Sequence, residues 1–296
     1  MAGRGGRVGR IRPGGKAMTR DEARTRITET LTELTTDVRW TQFLRVMGTF
    51  HRYSLNNTFL IFSQRPEATL VHGYRAWQAL GRQVQSGERG ITILAPLVKR
   101  EPDRDKEKDG APKVVGFRTV SVFDVEQTQG DSIRGLPERL AGNQHAALLA
   151  AIEAAIPFPV RRVADLRGAH GVFYIQERTI AVLEHLAPDM QVKTLLHEWA
   201  HGLRSAEDTR PRGEEEVVAE STAYVVASHF GLDTRAYSVG YVASWSQGDG
   251  PMVLAMAEEI LRRSQQMVDP VQERLLVLDR DQPGEVERTM TRAMER

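Results

Sequence analysis

The 296-residue chain has no cysteine. Disulfides and thiolate metal ligands are therefore excluded, and a metal bound here must be held by histidine and carboxylate. No apolar run approaches the length of a bilayer span, and the Gly- and Arg-rich residues 1–20 contain no apolar stretch of the kind that makes a signal peptide. These absences lead us to expect a cytoplasmic protein with no membrane partner. Internal repeats are also missing. Histidine is scarce, at eight residues.

What is present suits two domains, since 296 residues with 41% hydrophobic content can build more than one core. The net charge of +1 conceals an asymmetry. Residues 1–140 carry 24 Lys and Arg against 16 Asp and Glu, and residues 141–296 carry 16 against 23. Two halves of opposite sign suggest two jobs. The first 100 residues, with 17 basic and 7 acidic side chains, are a candidate for nucleic acid.

Along the chain, residues 1–17 hold five basic side chains among many glycines and read as a disordered basic tail. Thr19 and Glu22 form a capping-box pattern at the head of a helix running to about Thr36. Further helices are expected at Thr41–Met47, Leu55–Gln64 and Tyr74–Leu80, with strands at Ile91–Leu94 and Val114–Phe123. The charged stretch Lys99–Gly110 reads as a solvated connection, and residues 129–140, with Gly130, Gly135 and Pro137, as a linker. Beyond it come a helix at Asn143–Ile156, two strands at Gly171–Gln176 and Thr179–Leu183, and helices near 250–268 and 284–295. The expected fold class is α+β, with a mixed domain at 18–128 and a second at 141–296.

His197-Glu198-Trp199-Ala200-His201 is an H-E-x-x-H motif. A chance match in a chain of this composition is about 1 in 60, so its surroundings must decide what it does. Val192, Leu195, Leu196, Trp199 and Leu203 recur at helical spacing as one apolar stripe, and the two histidines fall on another face. Residues four apart on a helix can reach one metal ion together, with the glutamate beside the water to be activated. A third protein ligand is expected in the next helix, where Glu216, Glu220, Ala223 and Ala227 line one face. Glu216 is the candidate ligand. Glu220 either orients a histidine or is itself the ligand, while Glu214 and Glu215 are expected to complement the helix dipole.

His197 to His201, followed by Glu216-x-x-Ala219-Glu220, resembles the pattern of the ImmA/IrrE-like metallopeptidases, a zincin group. The resemblance implies a zincin-like metallopeptidase domain over residues 141–296, with His197, His201 and Glu216 as metal ligands and Glu198 as general base. It also implies that a strand before the motif holds a peptide substrate in extended form. Zinc is the implied metal (Zn2+), and manganese (Mn2+) or another divalent ion would suit the same donors. Tyr224, Tyr237 and Tyr241 are candidate donors to the oxyanion.

Between Phe50 and Pro96, aromatic and basic residues interleave, a composition that suits stacking on unpaired bases with arginines on phosphates. Phe59, Phe62 and Trp77 lie among apolar residues and are assigned to the core. Arg52, Tyr53, Arg65, Tyr74, Arg75, Arg82 and Arg89 are the candidate DNA contacts. The landmarks Asn56-Asn57-Thr58-Phe59-Leu60-Ile61, Gln64-Arg65-Pro66, Gly73-Tyr74-Arg75-Ala76-Trp77 and Gly87-Glu88-Arg89-Gly90-Ile91 resemble the N-terminal domain of ArdC-type antirestriction proteins. That resemblance implies single-stranded DNA as a partner, a zincin-like peptidase domain to follow, and an unknown protein or peptide substrate. Two other functions fit the same residues: a non-catalytic protein that coats DNA around a structural or vestigial metal site, and a protease regulator that cleaves a repressor.

Overall fold

The computed structural model describes residues 18–34, 36–99, 112–133, 144–232 and 249–281. The basic tail, most of the charged connection and of the linker, Tyr237, Tyr241 and the helix expected at 284–295 lie outside the described residues. The chain divides into two compact units, Met1–Leu31 with Asn56–Leu136, and Thr32–Leu55 with Pro137–Arg296. Residues 32–55, grouped with the first domain on sequence grounds, thus fall in the second unit.

In the first unit, helix α1 (Arg20–Glu33) opens on the expected capping box. Thr19 Oγ1 accepts from Glu22 N at 3.2 Å, and Thr19 N donates to Glu22 Oε2 at 2.6 Å. Helix α3 (Leu55–Gln64) buries Phe59 and Phe62 and uses two amides, seven residues apart, to pair with backbone. Asn57 exchanges two hydrogen bonds with Leu94, at 2.8 and 2.9 Å, and Gln64 exchanges two with Thr92, both at 2.9 Å. Leu94 and Thr92 belong to strand β3 (Ile91–Lys99), so the helix satisfies backbone groups that an edge strand would leave open.

Strands β1 (Val71–Gly73) and β3 flank β4 (Lys113–Asp124) in an antiparallel sheet of order β1-β4-β3. Strand β2 (Arg82–Val84) pairs with β5 (Thr128–Gly130), so the chain remains ordered past the point where the linker was expected to begin. Strands β1, β2 and β5, of three residues each, are too short for a period-2 pattern to show in the sequence. Buried Asp124 ends the sheet by accepting from Thr69 N, Leu70 N and Glu126 N. Helix α4 (Tyr74–Ala79) sets Trp77 against Val84 and Phe123, and the indole N–H donates to Phe123 O at 2.8 Å.

The second unit contains α2 (Asp37–Thr49), α5 (Gln144–Ala155), strands β6 (Val160–Val163), β7 (Gly171–Tyr174) and β8 (Thr179–Leu183), and helices α6 (Pro188–Gly202), α7 (Arg212–His229) and α8 (Gly250–Asp281). Its core joins Leu148 and Ile152 of α5, Ile180 and Val182 of β8, Leu195, Leu196 and Trp199 of α6, Ala223 and Ala227 of α7, and Met267 and Val271 of α8. Helix α2 lies against α7, where a Cβ at Gly48 would stand 2.7 Å from Val225 O. That close approach explains why residues 32–55 pack here. Helix α8 runs through Pro270 because its apolar spacing continues on the far side, at Val271, Leu275 and Leu278.

The sheet order is β6-β8-β7, with β6 parallel to β8 and β7 antiparallel to it at an edge. Strand β6 was not foreseen. Among the described residues, no helix is long and apolar enough to cross a membrane.

Candidate metal centre

Helix α6 starts with Pro188 at its head and Asp189 in its first turn, both favourable there, and buries Val192, Leu195, Leu196 and Trp199 as the spacing predicts. His197 and His201, one turn apart, are therefore turned toward α7. Ala219, Ala223 and Ala227 let that helix approach closely. His197 Nε2 and His201 Nε2 are 3.1 Å apart, and Glu216 Oε2 is 3.5 Å from each.

These three donors fit a divalent cation. Around a tetrahedral metal with ligands at about 2.1 Å, donor-to-donor edges measure about 3.4 Å, and the observed triangle has edges of that size. One donor atom from each of the three residues lies within 4.8 Å of the others. A carboxylate also stands beside the far nitrogen of each ring, in hydrogen-bond geometry at His201 and at ion-pair distance only at His197. His201 Nδ1 is 3.3 Å from Glu215 Oε1, and His197 Nδ1 is 3.1 Å from Glu220 Oε2. A carboxylate at Nδ1 favours a proton on that nitrogen and leaves the Nε2 lone pair for a metal.

The electrostatics agree with this arrangement. Burial pulls the His197 imidazole down, but Glu216 and Glu220 outweigh it and raise its pKa to about 9. His201 is raised in the same way by Glu215 and Glu216 against its burial. Hydrogen bonding to the two imidazoles holds Glu216 well below the usual carboxylate range. A field that favours protons between these rings favours a metal cation there as well.

Glu198 is 7% exposed, and its burial raises its pKa against the pull of His197 and His201. Its carboxylate is hydrogen-bonded by the backbone of Phe173. Strand β7 passes close over it, since a Cβ at Gly171 would meet Thr194 Cγ2 at 2.4 Å and Glu198 Cγ at 2.9 Å. Only glycine allows this approach.

The sequence reading left open whether Glu216 or Glu220 faces the histidine nitrogens that point inward; the structure sets Glu216 there. Glu220 lies behind His197 and pairs with Lys193 Nζ at 3.0 Å. Glu215 does more than complement the helix dipole. It is in the first turn of α7 but is buried, bonded to His201 and forked by Arg263. Arg263 also went unforeseen, although a signal existed: it interrupts the apolar spacing Met256, Ile260, Met267 of α8. Tyr224 is buried in α7, 2% exposed.

The seven candidate DNA contacts are not brought together in one unit. Arg52 and Tyr53 belong to the second unit, where Arg52 pairs with Asp269 at 3.3 Å and Tyr53 packs edge-on against Phe50. In the first unit, Arg65 bonds Glu126 at 3.0 Å, and Arg82 donates to Thr128 Oγ1 at 2.8 Å and to the carbonyl of Asp131. Tyr74 accepts from Gln83 through its hydroxyl at 2.6 Å. Arg75 and Arg89 are exposed.

Residues 18–123 match the family model described as the N-terminal domain of anti-restriction factor ArdC. The chain shares the fold of the Mn(II)-bound antirestriction ArdC protein from R388 plasmid, at 19% identity and a TM-score of 0.51, over 85% of this chain and 97% of that one. The metal-free crystal structure of the same protein matches at 18% identity and a TM-score of 0.47, over 75% and 86%. An uncharacterized protein of Bacillus anthracis is 26% identical over 247 residues, covering 68% of this chain, which spans only 42% of that relative's length.

Proposed function

We propose that this protein is an antirestriction-type, single-stranded DNA-binding protein with a divalent-metal peptidase centre. His197, His201 and Glu216 hold the cation and Glu198 is the general base. The observation that carries the reading is the triangle of two imidazole Nε2 atoms and one carboxylate oxygen, with a buried glutamate from the same helix beside it. A purely structural metal site needs no such base. The Mn(II)-bound ArdC structure supports a divalent ion without singling out zinc.

When bound, the cation would polarise a peptide carbonyl and acidify water. The chain's own residues supply the rest. Glu198, raised by burial, takes a proton from the attacking water and returns it to the leaving amine. Strand β7, the outer strand of its sheet among the described residues and close over Glu198, suits an extended peptide that adds as a further strand. A zincin-like peptidase domain over residues 141–296 is part of this reading.

Single-stranded DNA binding is assigned to residues 18–128. Its support is the match to the ArdC N-terminal domain, the basic surplus of the first 100 residues, and exposed Arg75 and Arg89. Glu198→Gln tests how the two activities relate, because it removes the base and keeps the shape. Metal and DNA binding should survive, cleavage of any protein substrate should stop, and protection of DNA from restriction should be lost. Full protection by this variant would instead favour simple coating of the DNA.

A further inference from the structure

We infer that Arg263 is a positioning residue for His201, acting through Glu215. This deepens the metal-centre reading and rests on it. Arg263 is fully buried, and its guanidinium forks Glu215 with N–H bonds of 2.6 Å to Oε1 and 3.0 Å to Oε2. The Oε1 atom that receives the shorter bond is the one 3.3 Å from His201 Nδ1. The same guanidinium nitrogen donates to Ala200 O at 2.9 Å, on the residue immediately before His201. One side chain therefore fixes both the backbone beside His201 and the carboxylate behind its ring.

The remaining donors are anchored in turn. Arg263 Nε bonds Glu259 Oε1 at 2.7 Å, and Asp208 Oδ2 stands 3.6 Å from its terminal nitrogen. A buried ion cluster of this kind is a weak source of stability, because an apolar side chain of similar volume often does as well. Its value lies in direction. With both of its oxygens forked by Arg263, Glu215 is fixed with Oε1 at His201 Nδ1 as an acceptor, an arrangement that places the proton on Nδ1 and turns Nε2 toward His197 and Glu216. His197 has a looser counterpart, in which Glu220 is held by Lys193 from the same helix. Arg263 is distinct in reaching His201 from α8 through an acid of α7.

The test uses the full chain and Mn2+ alone as probe, with affinity read from the resonance of free Mn2+. Glu215→Gln and Arg263→Lys should each weaken Mn2+ binding about 10- to 100-fold, while thermal unfolding in chelator stays close to wild type. In the Co2+-loaded protein, both should change the visible absorption that reports ligand geometry. Arg262→Lys is the control: Arg262 bonds Glu259 and Leu203 O in the same cluster without bonding Glu215, and its variant should bind like wild type. If Arg263→Lys does not fold, Glu215→Gln, which keeps its shape, decides alone. Wild-type affinity and spectrum in a folded Glu215→Gln protein would overturn the inference. So would an equal loss in Arg262→Lys, or collapse of the metal-free fold in both Glu215→Gln and Arg263→Lys. Failure of wild type itself to bind Mn2+ would instead bring down the metal-centre reading beneath it.

Discussion

His51 gives a stability prediction with a defined size and sign. Its side chain is 7% exposed, its ring lies 4.5 Å from that of His229, and Asp269 stands 3.7 Å from Nε2. Burial, reinforced by His229 and Arg52 and opposed by Asp269, lowers its pKa from 6.5 to about 4. The unfolded chain therefore takes up this proton more readily than the folded one. Stability should be intact above the unfolded value of 6.5, fall as the pH drops toward 4, and level off below. A difference of that size is about 3 kcal/mol in all, of which about 2 kcal/mol is lost between pH 7 and pH 5. His229, lowered chiefly by its own burial, adds to the fall in the same direction. Urea unfolding of wild type and His51→Gln at the two pH values isolates the His51 share. The wild type should lose about 2 kcal/mol more than the variant over this interval. Equal losses would show that His51 is not held neutral by its surroundings.

Three further outcomes follow from the geometry. Gly48→Ala should destabilise the second unit by about 1–3 kcal/mol, because its Cβ would press on the backbone carbonyl of Val225 rather than on a flexible side chain; thermal unfolding reads this directly. Glu216→Ala should lose Mn2+ binding, while Glu220→Ala should retain it at about 10- to 100-fold lower affinity; the reverse order, measured by Mn2+ titration, would exchange the two glutamates. Arg75→Glu and Arg89→Glu should each weaken single-stranded DNA binding and lower the slope of its salt dependence by about one. An unchanged slope would remove those residues from the interface.

The two-unit division and the cluster of His197, His201 and Glu216 were legible in the sequence to different depths. H-E-x-x-H, its apolar stripe and the small residues of α7 are local patterns, so spacing alone brings both histidines together with one face of α7 but does not choose between Glu216 and Glu220 on it. Glu215 and Arg263 could not be read in this way. Their pairing joins residues 48 positions apart in sequence, and a glutamate in the first turn of a helix already has a sufficient local explanation. The three-residue strands β1, β2 and β5 were hidden for a similar reason, since they exist by pairing and not by pattern. The position of α2 was missed because sequence order favours neighbours, whereas Gly48 marks a contact with a helix some 180 residues later whose partner the sequence does not name. Among the proposed DNA contacts, aromatic and basic composition did not separate arginines that face solvent from those spent within the fold, such as Arg65 on Glu126 and Arg82 on Thr128.

The central claim is that His197, His201 and Glu216 hold one divalent cation, and metal analysis of purified protein tests it most directly. Wild type exposed to Mn2+ or Zn2+ and freed of excess by gel filtration should carry close to one equivalent per chain, and a folded His201→Ala protein should carry none. A wild type that retains no metal, or a His201→Ala protein that retains a full equivalent, would contradict the account.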